Sequence, residues 1–168
     1  MSVNNKHVIS ALGLSLVLSA GLNIALSVRA SQQRAAIDAE RRAGRPLVGQ
    51  RVSGFDAVDP SGAAVSVRLE SDPRPVVLYC FRPGCGWCDR NLASIVALHD
   101  QLADRYRFVG VSLAPEGLSD ELRRHPLPFD VVTGLDSGTI AAYQLGGTPR
   151  TLVVDADGTV INNWFGVY

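Results

Sequence analysis

Lysine is nearly absent from this 168-residue chain: Lys6 stands alone beside 15 scattered arginines. The 16 basic residues meet 16 acidic ones, so the formal charge is zero. Without a basic excess there is nothing to hold a phosphate backbone, and nucleic acid is excluded as a partner. Cysteine is scarce, at three residues, too few for a dense disulfide framework. Histidine is equally scarce, and His7, His99 and His125 stand at no ligand spacing. With 46% hydrophobic and 19% charged residues, the chain is neither disordered nor of low complexity. No phosphate-binding G-x-x-x-x-G-K occurs; Gly146-Gly147 before Thr148-Pro149 reads as a turn. No nucleotide, flavin or haem site is indicated.

Charge is also missing from residues 8–28, a run of 21 apolar or small polar residues. At 1.5 Å per residue such a helix spans about 30 Å of hydrocarbon. It reads as a transmembrane signal-anchor following a tail at 1–7. A cleaved signal peptide is the alternative, but the run is long for one and Val28-Arg29-Ala30 is a weak cleavage match. Arg29, Arg34, Arg41, Arg42 and Arg45 follow the run, and only Lys6 precedes it. That bias argues for a cytoplasmic domain, whereas an N-terminal apolar segment before a long domain is the layout of an exported protein. Export is the reading adopted. Residues 29–45 are rich in helix formers and read as a helical linker stopped by Gly44 and Pro46.

Residues 46–168 read as one α/β domain. Residues 55–58 and 65–67 flank Asp59-Pro60-Ser61-Gly62, a hairpin pattern. Residues 75–81 form a continuous apolar run, expected as a strand buried on both faces. Leu92, Ile95, Val96, Leu98 and Leu102 recur at helical spacing. Strands are expected at 108–113 and 129–132, a short helix at 119–124, and a helix capped by Asp136 or Ser137 running to Leu145. A final hairpin is expected over 151–154 and 159–161, with Asp155-Ala156-Asp157-Gly158 at its turn.

Cys85-Gly86-Trp87-Cys88 lies where the buried strand hands over to the helix. Two intervening residues let the sulfurs close a small ring, and unpaired N–H groups at a helix start favour a thiolate at Cys85. Cys85 is therefore expected to exchange and Cys88, one turn inside, to resolve the mixed disulfide. Gly86 allows close approach, and Trp87 offers an apolar face for a peptide. Zinc lacks a full ligand set here. Copper held by the two thiols and His125, and an inert structural disulfide, are the remaining alternatives. No metal and no cofactor beyond the cysteine pair is expected. Cys80 reads as a small buried hydrophobe pointing away from the active face. His99 is expected on the helix surface and His125 in a loop.

These residues resemble the thioredoxin superfamily, and most closely its TlpA/ResA-like membrane-tethered thiol–disulfide oxidoreductases. The resemblance rests on the 55–67 hairpin, the VVLYCF strand, the C-G-W-C, and the stretch from Gly147 to Gly158. It implies a thioredoxin-like fold, a central mixed sheet flanked by helices and preceded by an N-terminal hairpin. It implies that Pro149 is a cis-proline facing the disulfide and that Thr148 and Pro149 position a substrate chain. A protein thiol or disulfide substrate is implied, and a redox partner that resets the pair. The implied location is the bacterial inner membrane, single-pass through 8–28, with the catalytic domain on the periplasmic or extracytoplasmic side. A copper-delivery or adaptor module on this scaffold and a peroxiredoxin-like peroxidase are the rival readings. Two positions depart from the pattern: Asn91 stands where many TlpA/ResA-like proteins have glutamate, and Tyr79 where thioredoxins have aspartate. Water, Tyr79 or a backbone group would then mediate Cys88 deprotonation. Residues 164–168 leave no room for the family's closing helix. Either the chain is a truncated one, or an apolar sheet face is expected to stand open to a partner or to be packed by the 31–43 helix.

Overall fold

The computed structural model describes residues 19–21, 23–24, 26–29 and 47–168. The chain divides into two units, Met1–Arg45 and Pro46–Tyr168. In the first unit the described residues are helical. Among the described residues no helix is long and apolar enough to cross a membrane. Most of the expected span, the 1–7 tail and the linker beyond Arg29 lie outside them, as does the proposed packing by 31–43.

In the second unit, β1 (Phe55–Val58) and β2 (Ala64–Val67) pair as an antiparallel hairpin with Phe55 opposite Val67. Asp59 closes the turn, its carboxylate accepting the Ser61 and Ala63 N–H groups. There follow β3 (Val76–Phe81), α1 (Gly86–Leu102), β4 (Arg107–Ser112), α2 (Leu118–Arg124), β5 (Val131–Val132), α3 (Ser137–Ala142), β6 (Arg150–Val154) and β7 (Val160–Phe165). The main sheet has the order β5-β4-β3-β6-β7. β3, β4 and β5 run parallel, whereas β6 and β7 run antiparallel to their neighbours. It is a mixed sheet, as the thioredoxin resemblance implies.

β3 is the central strand, and all six of its residues are buried. Alternation sends Val77, Tyr79 and Phe81 into the cluster that receives Cys88, Ile95 and Leu118. Val76, Leu78 and Cys80 enter the opposite cluster with Leu47, Tyr143 and Leu145. α1 buries Cys88, Asn91 and Ile95 along one stripe. Full burial of Ile95 contributes about 1.5–3 kcal/mol. Gly158, at φ +87°, turns the β6–β7 hairpin where a Cβ would stand 2.4 Å from the Val52 carbonyl oxygen.

Several boundaries differ from expectation. β5 keeps two residues of the expected four, because its partner β4 meets it only at Gly110 and Val111. α3 ends at Ala142 rather than Leu145. Gln144 takes a left-handed φ of 51°, and the Tyr143 hydroxyl is drawn to the Ser53 carbonyl at 2.8 Å. β7 runs on to Phe165, held by β6 along its length. His99 is not solvent-facing: its ring packs against Phe108 and Phe129, with centroids 5.2 and 5.5 Å apart.

The sheet face expected to stand open is partly covered. Tyr168 donates its N–H to Asn91 Oδ1 at 3.2 Å and accepts the Ser94 hydroxyl at 2.8 Å. Its own hydroxyl meets Thr151 Oγ1 at 2.8 Å. Thr151 is paired with Tyr79, so this tail lies on the α1 side. Trp164, Phe165 and Val167 remain exposed beside it.

Candidate active site

The site forms where β3 ends. Cys85 is the N-cap of α1, and its sulfur accepts the Cys88 N–H at 3.2 Å. The two cysteines are joined by a disulfide, with Cα atoms 5.2 Å apart. Cys85 is half-buried, whereas Cys88 is buried. This asymmetry follows from helical geometry: the cap residue stands at the rim and the residue three later turns toward the sheet. The first-turn N–H groups of α1 and its dipole lie at the Cys85 sulfur, an arrangement that stabilises negative charge there.

β6 supplies the other wall, because it pairs antiparallel with β3 and begins where β3 ends. The Thr148–Pro149 peptide bond is cis. Thr148 Oγ1 lies 3.5 Å from Cys85 Sγ. Pro149 is buried and offers no N–H. Trp87 is 62% exposed beside the disulfide, with the Arg90 guanidinium 4.6 Å from its ring centroid. A side chain at Gly86 would meet open space, so this rim of the site is unobstructed.

Beneath the disulfide, Tyr79 is fully buried and donates its hydroxyl to the Cys88 carbonyl at 3.2 Å. Burial drives its pKa well above the ordinary phenol value, with smaller contributions from neighbouring Tyr168 and the carboxylates of Asp89 and Glu121. Tyr79 is therefore a fixed donor to the backbone. Of the groups named for Cys88 deprotonation (water, Tyr79 or the backbone), Tyr79 is held on the Cys88 carbonyl. Asn91 accepts from Tyr168, and its amide nitrogen has no hydrogen-bond partner among the described residues. Cys80 sits on the far face, where burial pushes its thiol up to about 12 and nearby Arg150 pulls it slightly back.

The residue missed at the sequence level is Glu121, which is buried on α2. Its Oε2 accepts the Gly84 N–H at 3.2 Å and the Arg124 guanidinium at 2.7 Å. Nothing in its local pattern marks it, since S-D-E-L-R-R reads as a solvated helix face. Asp89, Glu121 and His125 bring ligand-capable atoms within 4.8 Å of one another, the one such group among the described residues. His125 thus sits with the two carboxylates of Asp89 and Glu121.

Residues 48–162 match the AhpC/TSA family. The chain belongs to this family. Its fold is that of the thioredoxin superfamily. A putative thiol:disulfide interchange protein DsbE from Chlorobium tepidum superposes with a TM-score of 0.62 at 21% identity, over 72% of this chain and 86% of that one. The thioredoxin domain of a Bacteroides vulgatus thiol-disulfide oxidoreductase gives 0.61 at 17% identity, over 71% and 89%. StoA from Bacillus subtilis gives 0.57 at 17%, over 73% and 92%. No curated protein matches the chain by sequence. The matched residues include the β1–β2 hairpin, the cysteine pair and the Thr148–Pro149 turn.

Proposed function

We propose that this chain is a thiol–disulfide oxidoreductase acting on protein thiols or disulfides through Cys85 and Cys88. The observation that carries the reading is the disulfide at the start of α1 with the Thr148 hydroxyl 3.5 Å from the half-exposed sulfur. In the reducing direction, the Cys85 thiolate attacks one sulfur of a substrate disulfide and the other sulfur leaves as a thiol. Cys88 then attacks Cys85, the second substrate sulfur leaves, and the pair ends oxidised by two electrons. The reverse sequence oxidises a substrate dithiol. Thr148 and Pro149 position the substrate chain, and Trp87 borders it. A redox partner resets the pair, and no other cofactor takes part. The fold shared with solved proteins named as thiol–disulfide oxidoreductases supports the reading. We further propose anchoring through residues 8–28 with residues 46–168 outside the cytoplasm, a reading supported by the uncharged run and the domain that follows it.

The test is the redox equilibrium of the full chain in glutathione buffers of stepped potential, with free thiols counted by mass tagging. A reversible two-electron step, lost in Cys85→Ser, is expected. Absence of any step overturns the reading. Membership of the AhpC/TSA family favours one rival, a thiol peroxidase. The residue three before Cys85 is Arg82 rather than the hydroxyl residue such a site uses. Rapid peroxide consumption by the reduced chain would move the reading there.

A further inference from the structure

Glu121 stands between α2 and the turn that delivers Cys85. Its side chain is 6% exposed, and one oxygen bridges the Gly84 N–H and the Arg124 guanidinium. Gly84 has φ +69°, a left-handed residue immediately before Cys85. The same turn touches α2 a second time, since Pro83 lies against Gly117, the N-cap of α2. Leu118 of α2 joins the apolar cluster that holds both Cys85 and Cys88. The turn is therefore clamped to α2 by a carboxylate at one point and by packing at two others.

A buried carboxylate beside the start of α1 is also an electrostatic element. The α1 dipole favours a thiolate at Cys85. A negative charge held on the N–H of Gly84, the residue before Cys85, opposes it, and burial weakens the screening. Arg124 offsets part of the charge, but its side chain is 58% exposed and water shares its field. The groups facing Glu121 are Asp89 from α1, Tyr79 from β3, and Arg124 and His125 from its own end of the fold.

We propose that Glu121 is a positioning residue for the Cys85–Cys88 pair: its carboxylate fixes the Gly84–Cys85 turn and raises the cost of the Cys85 thiolate, with Arg124 as the opposing charge. This rests on the oxidoreductase reading. Glu121 keeps the pair more reducing than the helix start alone would make it. Stabilising the thiolate form of a dithiol makes its disulfide a stronger oxidant, and Glu121 acts in the other direction.

The test uses two variants of the full chain. Glu121→Gln keeps an oxygen for the Gly84 N–H and removes the charge. Arg124→Gln removes the opposing charge at an exposed position. Thiolate absorbance of the reduced protein is titrated, and the equilibrium with glutathione is measured at a pH above the Cys85 pKa. Glu121→Gln is expected to lower the Cys85 pKa by up to about one unit. That corresponds to about tenfold in the glutathione equilibrium toward the dithiol form, or about 30 mV. Arg124→Gln is expected to move both readouts the opposite way, and by less. Opposite signs are the signature, because a merely structural clamp moves neither readout or disturbs both alike. Unmoved readouts, or shifts of the same sign, overturn the proposal. Should Glu121→Gln fail to fold, Glu121→Asp decides, because it keeps the charge but draws it back from the Gly84 N–H: a lowered Cys85 pKa supports the proposal and an unmoved one overturns it. A wild-type chain with no reversible step overturns the oxidoreductase reading itself, whereas a normal wild-type step with unmoved variants overturns only the role of Glu121.

Discussion

Thr148→Val removes one hydroxyl and nearly nothing else. The Thr148 Oγ1 lies 3.5 Å from Cys85 Sγ, within reach of a hydrogen bond to sulfur. A hydrogen bond to a charged acceptor contributes about 1.5–3 kcal/mol. The length of this contact and the half-exposed setting reduce that to about 1 kcal/mol. At about 1.4 kcal/mol per pKa unit, loss of the donor raises the Cys85 pKa by about 0.7. The sign follows because a donor to the thiolate favours the charged form. Below both pKa values the thiolate fraction drops about fivefold. The more basic thiolate is about twofold more nucleophilic, so attack on a small aromatic disulfide slows only about two- to threefold. Above both pKa values every molecule is thiolate, and the variant reacts about twofold faster. The two pH–rate profiles therefore cross. The assay is stopped-flow reaction of the reduced chain with the small disulfide across the titration range, with Thr148→Ser as the control that keeps the hydroxyl. Parallel profiles, or a serine variant that behaves like the valine one, would refute the reasoning.

Cys88→Ser is expected to accumulate a mixed disulfide between Cys85 and its protein substrate, and Cys85→Ser to accumulate none; equal trapping by non-reducing gel reverses the order of attack. In the native reduced chain, alkylation near neutral pH is expected to tag two cysteines and spare Cys80, which reacts only after unfolding. Because folding raises the Cys80 pKa to about 12 from 9.0, the folded state holds its proton where the unfolded state releases it. Stability contributed by this thiol is present below about 9 and falls as pH climbs to about 12, and Cys80→Val removes that part of the slope in urea titrations. Gly158→Ala places a Cβ against the Val52 carbonyl in left-handed backbone, and a loss of about 2 kcal/mol or more in urea unfolding is expected; a loss under about 0.5 kcal/mol shows that the hairpin relaxes.

The continuous apolar run over β3 was legible because a strand buried on both faces carries no polar position, and the helical spacing from Leu92 to Leu102 because burial of one helix face leaves a repeating mark in sequence. Cys80 could be assigned to the far face because neighbours along a strand point to opposite sides of the sheet. The turn of Asp155 to Gly158 was legible because only glycine suits that backbone. Glu121 was not, since a carboxylate pointing inward and one pointing to water have the same sequence neighbours. Its partner is the backbone of Gly84, 37 residues away, and a backbone partner leaves no side-chain signature. The shorter α3 was hidden for a related reason. Asp136 caps it as expected, but its end is set by Tyr143 reaching the Ser53 carbonyl 90 residues back. The coverage of the α1-side sheet face by Tyr168 depends on Asn91 and Ser94, polar residues whose helical position says nothing about what they hold.

The antiparallel pairing of β3 with β6 has a consequence for the chain as it is made. Cys85 and Thr148 are 63 residues apart, and every strand of the main sheet except β6 and β7 lies before the second of them. A chain emerging from its N-terminus exposes the cysteine pair long before the wall that completes the site exists. Until β6 docks beside β3, Cys85 and Cys88 have each other but no Thr148–Pro149 wall beside them. Closing that loop is a long-range event, paid for in chain entropy only once the central strand is ready to receive it. Full exchange chemistry is thereby a late property of the folding chain: the pair can oxidise early, and selective contact with another protein arrives with the last strands.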